Sequence, residues 1–244
     1  MFLDELRRDS WLRGLVYEPQ MPSTNDLALR LAADAALGAP TLVLTAQQTA
    51  GRGRGVNRWW SAPGALTCSV VIELPAALPV LRRSQLALVA GLAVRQAVAQ
   101  QAGVVAWVKW PNDVLVGKGK LAGILAEVSA PVIVVGLGLN VSLTADELPD
   151  PNAVSLSMLG HDADRSTLTC SLLQELSSRL TGWRAAGGAD AALAADYRAV
   201  STTIGTRVRA VLPNDSEIVG IATDIDDAGR LLINDGQTTV TVSA

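Results

Sequence analysis

From Ser23 the chain reads STNDLALRLAADAALG: small polar residues, then apolar positions at helical spacing, then Gly38. Ser, Thr and Asn accept hydrogen bonds from the open N–H groups of a first turn, and glycine ends a helix cheaply, so the pattern predicts a capped amphipathic helix. The next runs lack that period. TLVLTAQQ (41–48) is short and β-branched, and ALTCSVVIEL (65–74) is apolar nearly throughout. Both predict strands, the second mostly buried. SQLALVAGLAVRQAVAQQAG (84–103) returns to helical spacing between a serine start and a glycine stop. VVAWVKW (104–110) predicts a strand that ends before Pro111. DVLV (113–116) and KLAGILAEV (120–128) flank Gly117-Lys118-Gly119, which predicts a hairpin. PVIVVGLGLNV (131–141) predicts another buried strand, and two helices are expected within Leu168–Trp183 and Ala189–Val200.

Beyond Thr203 the rhythm changes. TRVRAVL, EIVGIATDID, GRLLIND and QTTVTVS are short β runs, separated by the turn formers Asn214-Asp215, Asp227-Ala228-Gly229 and Asp235-Gly236. They predict a small all-β barrel. A module of that size sits near the lower limit for folding alone, so it is expected to pack on the rest. The expected division is 1–200 as the main domain and 201–244 as the barrel.

Composition narrows the function. Apolar residues make up 49% of 244 positions, enough for a sizeable core, and the net charge is −3. An acidic chain is a poor general binder of nucleic acid or anionic membrane, so any positive site must be local. Cys68 and Cys170 are isolated and His161 is the lone histidine, which leaves no zinc-site or disulfide spacing and argues against Ser-His-Asp chemistry. A cytoplasmic setting fits. The opening MFLDELRRDSWLRGL mixes charges and does not read as a signal peptide, and no 18-residue uncharged apolar run suggests a membrane span.

Four stretches carry candidate chemistry. TAGRGRGVNRWW (49–60) places Arg52, Arg54 and Arg58 among Gly51, Gly53 and Gly55 and closes on Trp59 and Trp60. Glycines let backbone approach a ligand, and guanidinium forks suit carboxylate or phosphate. Mutually repelling arginines predict a loop that is mobile when empty and ordered by an anion, although a solvated Arg-Gly turn gives the same composition. KWPNDVLVGKGK puts Lys109 at a strand end, Asn112 and Asp113 at a turn, and Lys120 at the start of the next strand. Asn112 suits an amide-like or purine-like edge, Lys120 a carboxylate or phosphate, and Lys118 reads as an ordinary surface lysine. GKGK lacks P-loop spacing. Gly136, Gly138 and Asn140 share one face of a strand, open either to a flat ligand or to close packing. Ser23, Thr24 and Asn25 are explained as a helix cap unless a ligand claims them.

In combination, STN, QQTAGRGRGVNRWWS, KWPNDVLVGKGKLAGILAE and GLGLN, in that order with a β module last, resemble the biotin protein ligases over nearly the whole chain. The resemblance implies an α+β fold: a mixed sheet flanked by helices, related to class II aminoacyl-tRNA synthetases, with the small C-terminal barrel. It implies ATP, Mg²⁺, biotin, a biotinyl-5′-AMP intermediate, and a biotin carboxyl carrier domain as partner. By resemblance Ser23, Thr24, Asn25, Gln48, Gly51, Arg52, Gly53, Arg54, Lys120 and Gly123 hold biotin. Arg54, Arg58, Trp59, Lys109, Asn112, Lys120 and Asn140 hold ATP. Arg54 and Lys120 stabilise the reacting phosphate. Asp113 either orients a lysine or holds a metal-bound water. Only 22 residues precede Ser23, so a ligase-only protein is expected, monomer or homodimer, without nucleic acid or membrane. Many relatives read GRGRxGRxW, whereas here Val56 and Asn57 intervene before Arg58. A lipoate or octanoate ligase of the same superfamily is the near rival, disfavoured by GRGR with KWPND. An RNA-binding Arg-Gly module is the distant one, disfavoured by the acidic charge and the scarcity of phenylalanine and tyrosine.

Overall fold

A computed structural model describes residues 2–33, 38–212 and 216–243. Helix α1 (Phe2–Arg7) leads to β1 (Gly14–Met21), α2 (Thr24–Ala32), β2 (Thr41–Gln48) and β3 (Ala65–Glu73). Helix α3 (Gln85–Ala102) is followed by β4 (Trp107–Lys109), β5 (Asp113–Val116), β6 (Gly119–Ser129) and β7 (Val132–Asn140). Helices α4 (Arg165–Ala185) and α5 (Ala191–Ala199) precede β8 (Arg207–Val211), β9 (Glu217–Ile225), β10 (Leu231–Asn234) and β11 (Thr239–Val242).

The first seven strands form one sheet in the order β1-β2-β3-β7-β6-β5-β4. β1 and β2 run parallel and the remaining pairs antiparallel, so the sheet is mixed, as the resemblance implies. Strands β3 and β7 are central and covered on both faces, which is why their sequences are apolar nearly throughout. Successive residues divide between two cores. Leu42, Leu44, Val70 and Ile72 join α3 and α4 on one face, while Val43, Val71 and Val134 pack with α2 on the other. Strand β1 has no counterpart in the sequence reading. It is an edge strand whose residues 17–20 are exposed, so no apolar run marks it.

Helix α2 begins as expected, with the Ser23 side chain accepting from the Asp26 N–H at 3.3 Å. It closes at Ala33 rather than at Gly38, and residues 34–37 of the expected helix lie outside the described residues. Helix α3 ends as expected on Gly103, left-handed at φ +65°, whose N–H reaches the Ala99 carbonyl. Its serine start is a correction: the Ser84 hydroxyl donates to the Leu81 carbonyl and caps nothing.

The C-terminal strands form a separate antiparallel sheet, β11-β10-β9-β8. The expected turn at Asn214-Asp215 lies outside the described residues. Ala222, Ile225, Leu231, Ile233 and Val242 are buried in the same core as α3, so the small sheet does pack on the main body. The junction is polar as well. The Trp110 indole N–H donates to the Gly229 carbonyl at 3.0 Å, and Gln85 Nε2 and Arg82 Nη1 both donate to the Asp227 carbonyl. Among the described residues no helix is long and apolar enough to cross a membrane.

Candidate active site

A cleft of about 570 Å³ opens over the face of the sheet that carries α2, between the start of that helix, the 51–59 loop and the β5–β6 hairpin. Its closed end is polar. Ser23, Thr24, Asn25 and Gln48 are all buried there. The Thr24 N–H and hydroxyl both donate to Gln48 Oε1, at 2.7 and 3.0 Å. That consumes the Gln48 carbonyl and leaves its amide N–H groups as donors. Asn25 is more fully committed. Its Nδ2 donates to the Leu125 carbonyl at 3.2 Å and to Glu127 Oε2 at 2.7 Å, and its Oδ1 accepts from the Ser69 hydroxyl at 2.6 Å. It lies over Gly136, where a Cβ would overlap its amide. Asn25 therefore shapes the pocket more than it reads a ligand.

The arginine loop is a small hydrogen-bonded hairpin. The Gly53 N–H donates to the Asn57 carbonyl, the Trp59 N–H to the Gly51 carbonyl, and Asn57 Nδ2 to the Arg54 carbonyl at 2.9 Å. Gly55 turns the chain at φ +66°, a region that favours glycine. Asn57, one of the departures from the GRGRxGRxW pattern, thus closes the turn. Gly51 is pressed against the Trp59 carbonyl and the Gln48 amide, leaving no room for a side chain.

The three arginines do different things. Arg52 does not wait for an anion: its fork is bidentate to Glu127, at 2.8 and 2.6 Å, and Nη2 also meets Asp26 Oδ1 at 2.7 Å. The Glu127 hydrogen bonds, more than any other influence, hold its guanidinium above the ordinary arginine range, against the opposing effect of burial. The Arg52 side chain is thus held by Glu127 and Asp26 while the residue lines the cleft. Arg54 and Arg58 are exposed and line the cleft, and no carboxylate pairs with either among the described residues.

The glycine face of β6 and β7 is already occupied. Gly123 and Gly138 lie opposite each other across the ladder, and the Trp59 ring rests on both. A Cβ on Gly138 would fall inside the indole. The flat group resting on that face is the chain's own tryptophan, and Gly136 and Gly138 still line the cleft. Lys120 Nζ stands 5.7 Å from the Trp59 ring centre, a cation–π contact, and 2.6 Å from Asp113 Oδ1. Asp113 thus orients a lysine.

Asn112 lines the cleft while Nδ2 donates to the Ile124 carbonyl at 2.9 Å. Asn140 does not line it. Its buried amide donates to the Val154 carbonyl at 3.0 Å, tying the 152–156 segment to the sheet. Lys109 ends β4 and is exposed at the rim, and Lys118 joins it there, where the sequence suggested a bystander. Six cations face the cleft against Asp113 and Asp150, a local excess of positive charge in an acidic chain.

Residues 17–142 match the Biotin/lipoate A/B protein ligase family, and residues 203–244 match the Biotin protein ligase C terminal domain. Over 237 residues the chain is 47% identical to the biotin–[acetyl-CoA-carboxylase] ligase of Mycobacterium tuberculosis, covering 95% of this chain and 87% of that one. The chain belongs to the biotin protein ligase family. It is also 34% identical over 230 residues to the bifunctional ligase/repressor BirA of Bacillus spizizenii, across 90% of this chain and 69% of that one. Its fold is that of the Aquifex aeolicus biotin protein ligase solved in complex with biotin and ATP, with a TM-score of 0.81 at 24% identity, over 95% of this chain and 96% of that one. Within this biotin protein ligase, Glu127, Asp26 and Ser69 are the site residues that sequence reasoning missed. Their signals were weak: a lone glutamate in KLAGILAE, a first-turn aspartate and a serine inside an apolar strand.

Proposed function

We propose that the cleft joins biotin to ATP, releasing pyrophosphate and forming biotinyl-5′-AMP, and then passes biotin to a lysine of a biotin carboxyl carrier domain. The carrier belongs to a biotin-dependent carboxylase, as the name of the Mycobacterium tuberculosis relative suggests, and the reaction runs in the cytoplasm. Residues 1–200 form the catalytic domain and 201–244 a supporting one. The observation that carries the reading is the pairing of a neutral polar pocket with a rim of cations that lack carboxylate partners among the described residues: Arg54, Arg58, Lys109 and Lys118.

Biotin presents a ureido ring, an apolar body and a carboxylate tail. The ureido carbonyl needs donors, and Gln48 Nε2 and the Ser23 hydroxyl supply them, because Gln48 Oε1 is already spent on Thr24. The carboxylate, ionised at neutral pH, attacks the α-phosphorus directly. No base removes a proton, which suits a chain with one histidine. A carbon–oxygen–phosphorus anhydride forms as the bond to pyrophosphate breaks. Lys120 and Arg54 stabilise the charge that builds on the phosphoryl oxygens, and Arg58, Lys109 and Lys118 attract the departing pyrophosphate.

Among the described residues, no group of three His, Cys, Asp or Glu side chains gathers into a metal cage. Mg²⁺ bound with the ATP phosphates would offset their charge, and no step here depends on a protein ligand to it. In the second half-reaction the carrier amine attacks the acyl carbon and AMP leaves. The 51–59 hairpin shields the anhydride from water until then.

The test is pyrophosphate exchange into ATP with biotin, lipoate or octanoate as acid, and mass spectrometry of the product. Biotin-dependent exchange with a biotinyl-AMP mass is expected. Exchange with lipoate or octanoate but not biotin would replace this reading with the rival acyl ligase.

A further inference from the structure

We propose that Glu127 is a positioning residue of adenylation, the one carboxylate that fixes the arginine loop and the vitamin pocket in a single geometry. The proposal rests on the biotin–ATP reading above. Glu127 projects from β6 with its side chain 25% exposed. Its two oxygens receive three donors from two distant segments. Oε1 takes Arg52 Nη1 at 2.8 Å, and Oε2 takes Arg52 Nη2 at 2.6 Å and Asn25 Nδ2 at 2.7 Å. Arg52 then reaches on to Asp26 in the first turn of α2. A bidentate guanidinium–carboxylate pair fixes direction as well as distance. The loop that carries Arg54 is thereby anchored two residues from that side chain.

The other branch runs inward. With Nδ2 held by Glu127 and the Leu125 carbonyl, the Asn25 amide can only turn Oδ1 toward Ser69, whose single hydroxyl proton lies between Asn25 Oδ1 and Thr24 Oγ1, 2.6 and 2.7 Å away. Thr24 in turn consumes Gln48 Oε1, which is what leaves Gln48 Nε2 free for the ureido carbonyl. Remove the carboxylate and two errors follow. The Arg52 fork becomes free to compete for the biotin carboxylate, and Asn25 loses the partner that sets its orientation. Both faults start at the biotin end of the cleft, whereas Lys109 and Lys118 stand on other segments and Arg54 and Arg58 keep the hairpin's own backbone bonds, so the ATP rim is disturbed less.

The experiment measures biotin-dependent pyrophosphate release, varying biotin and ATP separately, for the parent, Glu127→Gln and Glu127→Asp. Glu127→Gln preserves shape but offers Arg52 an amide in place of a second acceptor. Losing charge-assisted hydrogen bonds of this kind predicts a KM for biotin raised roughly ten- to a hundredfold, with KM for ATP raised by a clearly smaller factor. Glu127→Asp keeps the charge and recovers part of that loss. A merely structural role would lower kcat and the thermal midpoint without favouring one substrate. If both KM values are unchanged, or rise together, the proposal is overturned while the parent's activity still stands. Should Glu127→Gln fail to fold, Arg52→Lys reads the same link, since an ammonium cannot bridge both Glu127 oxygens and Asp26. It is expected to show the same biotin-selective rise, and a parent-like KM for biotin would overturn the proposal. A parent inactive with biotin and ATP would instead sink the functional reading itself.

Discussion

Lys120 concentrates the site's chemistry in one side chain. Its ammonium is held at 2.6 Å by Asp113 and backed by the Trp59 ring, so it is aimed rather than free. Removing one charged donor that acts on the transition state costs on the order of 10²–10³ in rate. Lys120→Ala should therefore slow pyrophosphate release by about that factor in pre-steady-state assays, with biotin binding weakened far less. Near-parental release would take Lys120 out of the reaction. Residue type and spacing singled out Arg54, Asn112 and Lys120, and the resemblance singled out Gln48; all four line the cleft. What each does was less legible. Arg52 and Arg54 read alike in GRGR, yet Arg52 is consumed by Glu127, which lies 75 positions further along the chain. Nothing local in sequence announces such a partner. The carbonyls that Asn140 serves likewise become neighbours only in the fold.

At the scale of elements, glycine decides what the sheet can hold. Gly138 in β7 carries Trp59 directly on its backbone, whereas Gly91 in α3 has its nearest neighbours, Val108 and Ile124, at 3.7 and 3.9 Å. The same substitution should then act with opposite sign. Gly138→Ala drives a methyl into the indole and is expected to destabilise by about 1–3 kcal/mol, the range for overpacking. It should also shift tryptophan emission and raise KM for ATP, because Trp59 backs Lys120. Gly91→Ala places its methyl at ordinary contact distance in a helix interior and should raise stability by about 0.5–1 kcal/mol. Thermal unfolding of the pair measures both, and a stabilising Gly138→Ala would mean that the ring does not rest where described. Elements with their own signal were legible: the strands buried on both faces, the glycine-stopped α3 and the β5–β6 hairpin. Strand β1 was not, because an exposed edge strand bearing Glu18, Pro19 and Gln20 needs only the ladder to β2 to exist.

For the whole molecule, charge is distributed against the average. The chain is net negative, yet Arg54, Arg58, Lys109 and Lys118 line the cleft with no carboxylate partner among the described residues. ATP brings several negative charges to that rim, while biotin brings one, and its ureido end enters a neutral pocket built on Ser23 and Gln48. Interactions among exposed charges weaken as salt shortens the screening length from about 10 Å at 0.1 M to about 3 Å at 1 M. Raising sodium chloride across that range should therefore raise KM for ATP steeply and KM for biotin slightly. Thermal stability should change less, because beside the Arg198–Asp224 ion pair the small sheet is tied on through backbone carbonyls, from Trp110 to Gly229 and from Gln85 to Asp227. Steady-state kinetics at fixed pH, with each substrate varied in turn, supply the comparison. A parallel rise of both constants would show that salt acts on the protein as a whole, and the cationic rim would lose its assignment to the triphosphate. A rise confined to ATP would instead place the chain's positive field where the anionic substrate enters.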